Sequence, residues 1–405
     1  MDVLLQIIKC LFYAFSCIIA FYFLLPIALH LLYYIVESVK INRLNKNNIK
    51  TDHNFDFAAI ITVHQDTRFI APFVDSFLKQ QYDNFKVYIV ADDCDISNLL
   101  FSDDRIVIIK PESALNSKIK SIQYAINHFK QKHDVIIIFD SDNLIHPNYL
   151  KNLNKYFQRG FRVVQTHMLS KNIDNRFARL DSIGHIYYTF YERKVKMKLG
   201  ISSAILGLGI ALDYDLYKEI NYENVVGGFD KKLQAQLARK VTQIAFAEDA
   251  IVYDEKVEDG AVLKKQRTRW IYSYFNHFKE SWLLILTGFK NLNSGQILLG
   301  ATMLRPPMVL QLLSLIFIVI ITLIINPVLL YGWAILVFLF AMNFILTIAT
   351  QSRQKGMLHS IKHIPLLIFS QLRALINIKS AKQSFLKTEH KKIIYIDELL
   401  KNEIS

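Results

Sequence analysis

Apolar and polar positions divide the chain into three stretches. Residues 3–36 form a nearly uninterrupted apolar run, longer than the roughly 20 residues a helix needs to cross a bilayer. Pro26 within it predicts a kink. The run is too long for the apolar region of a cleaved signal peptide. Lys40, Arg43, Lys46 and Lys50 follow it, which predicts a cytoplasmic flank. From about Phe55 to Asn276, short β-branched runs alternate with amphipathic stretches. Strands are predicted over 57–63, 86–91, 105–109, 135–139 and 161–165, and helices over 71–80, 117–130 and 147–159. Continuous apolar runs between helical patterns predict an α/β domain with a mostly parallel sheet flanked by helices. Segments 308–325 and 328–348 each reach spanning length. Only Asn326-Pro327 separates them, so a tight membrane hairpin is predicted, with Arg353 and Lys355 following on the cytoplasmic side. Segment 357–378 is broken by Lys362, Pro365 and Arg373 and predicts an interfacial or re-entrant helix, with a further span as the alternative. The expected organisation is a membrane helix at 1–38, an α/β domain at 39–276, and interfacial and membrane helices at 277–405.

Composition narrows the partners. Over 405 residues, 52% are hydrophobic and the formal charge is +13. A basic chain suits nucleic acid, anionic lipid or phosphorylated substrates. Zinc-finger spacing, RNA-binding aromatic signatures and basic patches interleaved with aromatics are all missing, so no nucleic-acid partner is expected, and membrane lipids and diphosphates remain. Cys10, Cys17 and Cys94 form neither a metal-ligand spacing nor a disulfide framework. Few charges fall inside the spanning segments, which argues against a transporter.

Three polar clusters carry candidate chemistry. Asp140-Ser141-Asp142 directly follows the predicted strand 135–139. A strand end pins such a pair, and two carboxylates one residue apart suit a hard divalent cation and its diphosphate. Asp92-Asp93 closes another apolar strand, at the carboxyl ends where open α/β sheets bind ligands. Gln266-Arg267-Thr268-Arg269-Trp270 precedes the return to the membrane. Arginine offers a fixed, permanently charged fork for phosphate, and tryptophan a face for a sugar ring.

In this order, between these membrane segments, the clusters resemble the membrane-bound, processive-type family 2 glycosyltransferases, the group of cellulose, chitin and hyaluronan synthases. The resemblance covers nearly the whole chain. It implies a GT-A nucleotide-sugar-binding domain on the cytoplasmic face, in a bacterial inner membrane. It implies an inverting transfer from a nucleotide-diphosphate sugar, expected to be UDP-linked, to a growing glycan, with a lipid-linked acceptor or a catalytically impaired scaffold as alternatives. Partner subunits for export fit the same picture. Asp92 and Asp93 match the nucleotide-binding acidic pair. Asp140 and Asp142 match the D-x-D that holds Mg2+ or Mn2+. Gln266, Arg267, Arg269 and Trp270 match the Q-x-x-R-W motif, which holds the diphosphate and the acceptor end. Lys118 resembles a lysine facing the diphosphate, with Ser117 where glycine is usual. Gly207 and Gly209 resemble a glycine-bearing loop near the acceptor. The segment Thr62-Val63-His64-Gln65-Asp66 stands where the family opens its nucleotide pocket, without the usual proline and asparagine.

The resemblance implies an aspartate base, and two candidates compete. Glu248-Asp249 matches the family's acidic dipeptide by letters, and Asp230 by context. The family's base lies some three dozen residues before the motif glutamine, and Asp230 stands 36 positions before Gln266 whereas Asp249 stands 17 before it. A helical pattern follows Asp230, and a helix N-terminus stabilises a nearby carboxylate. Ala250-Ile251-Val252-Tyr253, after Asp249, is strand-like. Asp230 is therefore the expected base, with Asp249 the alternative. Phe229 stands where the family usually has glutamate.

Overall fold

The computed structural model describes residues 2–39, 51–220, 229–354, 356–376 and 390–404. The sequence-stretch Lys40, Arg43, Lys46 and Lys50, together with Gly227, Gly228, Lys355 and the end of segment 357–378, lies outside them.

Eight strands form one sheet: β1 (Phe57–His64), β2 (Phe85–Asp92), β3 (Ile106–Ile109), β4 (Val135–Asp140), β5 (Leu144–Ile145), β6 (Val163–Ser170), β7 (Ile210–Asp213) and β8 (Ala245–Asp254), in the order β3-β2-β1-β4-β7-β6-β8-β5. The pairs β1–β2, β1–β4, β2–β3 and β6–β8 are parallel, and β4–β7, β6–β7 and β5–β8 antiparallel. The sheet is thus more mixed than the apolar runs suggest. The two-residue strand β5 is too short for a pattern to show.

Among the described residues, fifteen helices accompany it: α1 (Asp2–Ser38), α2 (Ile70–Leu78), α3 (Lys118–Asn127), α4 (Tyr149–Gln158), α5 (Arg176–Thr189), α6 (Val195–Lys198), α7 (Tyr214–Lys218), α8 (Phe229–Lys240), α9 (Gly260–Asn276), α10 (Phe278–Lys290), α11 (Ser294–Met303), α12 (Met308–Ile325), α13 (Leu329–Gln351), α14 (Ile364–Ile376) and α15 (Ile396–Ile404). A π-turn, Phe190–Lys194, joins α5 to α6. Polar caps start several helices: Ser117 accepts from Lys120 N, Asn175 from Phe177 and Ala178 N, and Asp259 from Ala261 and Val262 N. Each face of the sheet is covered, which is why its strands are apolar on both sides. Phe73 and Phe77 of α2 and Leu150, Leu153 and Phe157 of α4 fill one face. Ile122 of α3, Leu233 and Leu237 of α8, Leu284 of α10 and Leu299 of α11 fill the other.

Helices α1, α12 and α13 are long and apolar enough to cross a membrane. Ile19 and Phe23 of α1 pack with Ile318 and Leu336, while most of their other apolar side chains face outward. A buried polar chain ties this bundle to the α/β domain. His30 Nδ1 lies 2.6 Å from Asn343 Oδ1, Asn343 Nδ2 donates to Tyr191 Oη at 2.7 Å, and Tyr191 Oη lies 2.8 Å from Thr347 Oγ1. The segment expected to be interfacial forms a 3-10 turn, Leu358–His363, and the 13-residue α14, which packs along α9.

Candidate active site

Parallel register brings three polar strand ends side by side: His64 stands opposite Asp92, and Thr62 opposite Asp140. Asp92 is buried. It accepts from the backbone N–H of Leu115 at 2.6 Å and of Asn116 at 2.9 Å, and lies 3.1 Å from His64 Nδ1. It therefore anchors the loop that leads into α3. Asp93 is the exposed member of the pair, bonded by Gln65 Nε2 at 2.8 Å. Both Gln65 and Asp93 adopt positive φ, 61° and 53°, so the two strand ends turn sharply at the same point.

The two aspartates of Asp140-Ser141-Asp142 face different partners. Lys118, in the first turn of α3, donates to Asp140 Oδ1 at 2.5 Å and to the Gly207 carbonyl at 2.7 Å. Its ammonium also lies 5.5 Å from the centre of the Phe229 ring. A Cβ on Gly207 would come within 3.5 Å of that ring. Phe229 thus buttresses Lys118 and the glycine loop, a packing role in the place of the expected carboxylate. Gly209 has φ 62°, and a Cβ there would meet Thr166 Oγ1 at 2.5 Å, so the close approach of loop to β6 needs glycine.

Asp142 is 3% exposed. Glu255 N donates to its Oδ2 at 3.4 Å, and His390 Nδ1 lies 3.3 Å from the same oxygen. Ligand atoms of Asp142, Glu255 and His390 all lie within 4.8 Å of one another. Asp254 is buried beside them, held by Lys256 Nζ at 2.9 Å and Asn143 Nδ2 at 3.2 Å. Burial, partly offset by Lys256 and reinforced by Asp142, raises its carboxyl above the usual range. Burial alone would lower the His390 imidazole, but Asp142, Asp254 and Glu255 outweigh it and raise it. Carboxylate and imidazole groups at this spacing fit a divalent cation.

Sequence reasoning missed Glu255 and His390. Glu255 had a signal: Asp254-Glu255 closes an apolar strand, as Asp92-Asp93 and Asp140-Ser141-Asp142 do. His390 had none, because only the tertiary fold brings it to Asp142 from beyond the membrane helices.

Asp230 lies in the first turn of α8. Burial lowers the Arg269 guanidinium, and the fields of Asp140 and Asp230 oppose that shift. Burial likewise pushes Arg193 down to about 10, against Glu192 and Asp230. Arg269 therefore lies in the fields of Asp140 and Asp230 together. Asp249 stands elsewhere, exposed on β8 where the pairing with β6 slips: Thr166 opposes Ala247, while His167 opposes Ile251. Its carbonyl accepts from Asn152, and Glu248 pairs with Lys194 Nζ at 2.8 Å. On α9, Arg267 forms a buried ion pair with Asp181 and lies 4.2 Å from the centre of the Trp270 ring. Trp270 is 46% exposed. The side-chain carbonyl of Gln266 is buried with no donor among the described residues.

The comparisons agree on the fold. The family model "Glycosyltransferase like family 2" matches residues 53–273. The mannosyltransferase PcManGT from Pyrobaculum calidifontis, solved in complex with GDP-Man and Mn2+, superposes with TM-score 0.56 at 11% identity, over 91% of this chain and 100% of that one. S. aureus TarS 1–349 is more distant, with TM-score 0.39 at 14% identity over 83% and 93% of the two chains. No curated protein sequence matches the chain. With its GT-A-like mixed α/β domain and a family match over more than half its length, the chain belongs to the glycosyltransferase family 2 group and is a glycosyltransferase.

Proposed function

We propose that this enzyme transfers a sugar, with inversion, from a nucleotide-diphosphate sugar to a growing glycan at the cytoplasmic face of the membrane. One observation carries the reading: Asp140, Lys118, Asp230 and Arg269, from four distant stretches of sequence, share one electrostatic neighbourhood. In this reading Asp93 and the turn at Gln65 meet the nucleoside. Asp142, with Glu255 and His390, would hold a divalent cation, which when bound neutralises charge on the diphosphate. Lys118 and Arg269 offset the charge that grows on the leaving group. Asp230 accepts the hydroxyl proton as the acceptor oxygen bonds to the anomeric carbon and the bond to the diphosphate breaks. The exposed face of Trp270 suits an acceptor sugar, on whose ring it would stack, with Gln266 one turn before it on the same helix. Arg267, committed to Asp181, supports the helix that carries them.

A membrane location is supported by α1, α12 and α13, which are long and apolar enough to cross a bilayer, and the boundaries 1–38, 39–276 and 277–405 are proposed on the same grounds. A screen of UDP- and GDP-linked sugars for cation-dependent turnover by the full chain in detergent tests the function. Turnover with no donor, with and without EDTA, would sink it. Product length from a labelled donor then separates a growing glycan from a single transfer to lipid.

A further inference from the structure

The π-turn Phe190–Lys194 carries two neighbouring charges of opposite sign in unlike surroundings. Glu192 is committed, 2.6 Å from Lys196 Nζ and 3.0 Å from Arg305 Nη2. Arg193 is 5% exposed. Its Nη1 donates to Thr189 Oγ1 at 3.4 Å, and its Nε meets no acceptor among the described residues. A buried cation without a carboxylate against it is costly, and π-turns inside helices are frequent at functional sites. The backbone of the same turn leads toward the proposed base. The Glu192 carbonyl accepts from Ala204 N at 2.8 Å, and the Arg193 carbonyl from Ser203 Oγ at 3.2 Å. The next residue, Ile205, donates its N–H to Gln234 Oε1 at 2.8 Å, and Gly207 faces the ring of Phe229, the residue before Asp230. Gln234 and Asp230 are four residues apart on α8 and share a face. Residues 203–207 therefore lie between the π-turn and the side of α8 that carries Asp230. The charges agree with the backbone. Two carboxylates oppose the effect of burial on Arg193, and of these Glu192 already has two cations, which leaves Asp230.

We propose that Arg193 is the positioning residue for Asp230, seated by the π-turn so that its charge keeps the carboxylate aimed at the acceptor hydroxyl. The inference rests on Asp230 being the base in the proposed function. Arg193 acts through Asp230 and not on the substrates. Its leverage comes from burial, because charges attract several times more strongly across protein than across water. Aim matters, since a displacement of about 1 Å can cost about 10²-fold in rate. The ties that seat the turn run through the Glu192 and Arg193 carbonyls. A neutral side chain at position 193 therefore keeps those bonds and removes the charge.

The test is a double-mutant cycle on the full chain in detergent, with the radiolabelled UDP- or GDP-linked sugar that the donor screen turns over. Arg193→Gln is expected to lower kcat by roughly 10- to 100-fold with the donor KM unchanged. In the Asp230→Asn background the same substitution is expected to cost nothing further, because the group it positions is already gone. Arg193→Lys, which keeps the buried charge on a differently shaped side chain, is expected to retain more turnover than Arg193→Gln and likewise to cost nothing in Asp230→Asn. Melting temperatures identify any variant that fails to fold. Should Arg193→Gln be one, the Arg193→Lys pair decides. An equal factor in both backgrounds, no loss in either included, overturns the positioning role; with Asp230→Asn itself impaired, the base is left standing. Asp230→Asn at the parent rate overturns the base and the inference together.

Discussion

At the residue scale, the proposed base Asp230 and its alternative Asp249 stand in different surroundings. Asp230 shares the field of Arg269 with Asp140, whereas Asp249 is exposed on an irregular stretch of β8. Asp230→Asn is expected to lower turnover by roughly 10²–10⁴-fold, the usual worth of a positioned base, with Asp249→Asn near the unmodified rate. Donor-turnover assays on the purified variants check this, and equal rates for Asp230→Asn and the parent would remove Asp230 from the mechanism. Gly209 is a stability position as much as a site residue. Thr166 Oγ1 donates to the Gly209 carbonyl at 2.7 Å, so it has no room to yield to a methyl group. Gly209→Ala is expected to destabilise by at least 1–2 kcal/mol, from strain at positive φ before any clash, read as a lower melting temperature in detergent. A neutral Gly209→Ala would mean the loop can shift.

Between elements, buried charge holds the joint between the α/β domain and the membrane segment. Glu192 sits in the π-turn, 2.6 Å from Lys196 Nζ and 3.0 Å from Arg305 Nη2, just ahead of α12. Burial alone would raise its carboxyl, but Lys196 and Arg305 prevail and bring it to about 2. Its contribution is therefore fully present above the ordinary glutamate range and is lost only as pH falls toward 2. Glu192→Gln leaves two cations buried without their partner and is expected to cost about 3–5 kcal/mol, measured by thermal unfolding at neutral pH. The histidines act at milder pH. Burial lowers His167 to about 4, and His185 further below its usual value. The unfolded chain takes up these protons first, so stability is expected to fall as pH drops below about 6.5. The His167→Gln, His185→Gln double variant should flatten a melting-temperature profile between pH 6.5 and 4. A slope that persists would assign the acid sensitivity to other groups.

At the scale of the whole molecule, the membrane-length helices are joined to the α/β domain by the His30–Asn343–Tyr191–Thr347 chain. Asn343→Leu leaves Tyr191 and His30 without that partner and is expected to lower the melting temperature of the full protein in detergent; an unchanged value would mean the bundle packs on apolar contact alone. Much of this arrangement is legible along the chain. Long, predominantly apolar runs mark α1, α12, α13 and the central strands, because burial on both faces or in lipid favours that composition. The acidic strand ends Asp92 and Asp140 are legible for the same reason: a strand fixes where its last residue points. Two-residue β5 escapes, since so short a segment carries no period. What tertiary structure alone decided is which side chains meet. It gave Arg267 to Asp181 and placed Arg269 within the fields of Asp140 and Asp230. It parted Asp140 from Asp142, and it returned His390 to the sheet across two membrane-length helices. Local patterns record what each segment needs from its solvent. They hold no record of which distant segment will stand opposite, because that is settled by the joint packing of the whole chain.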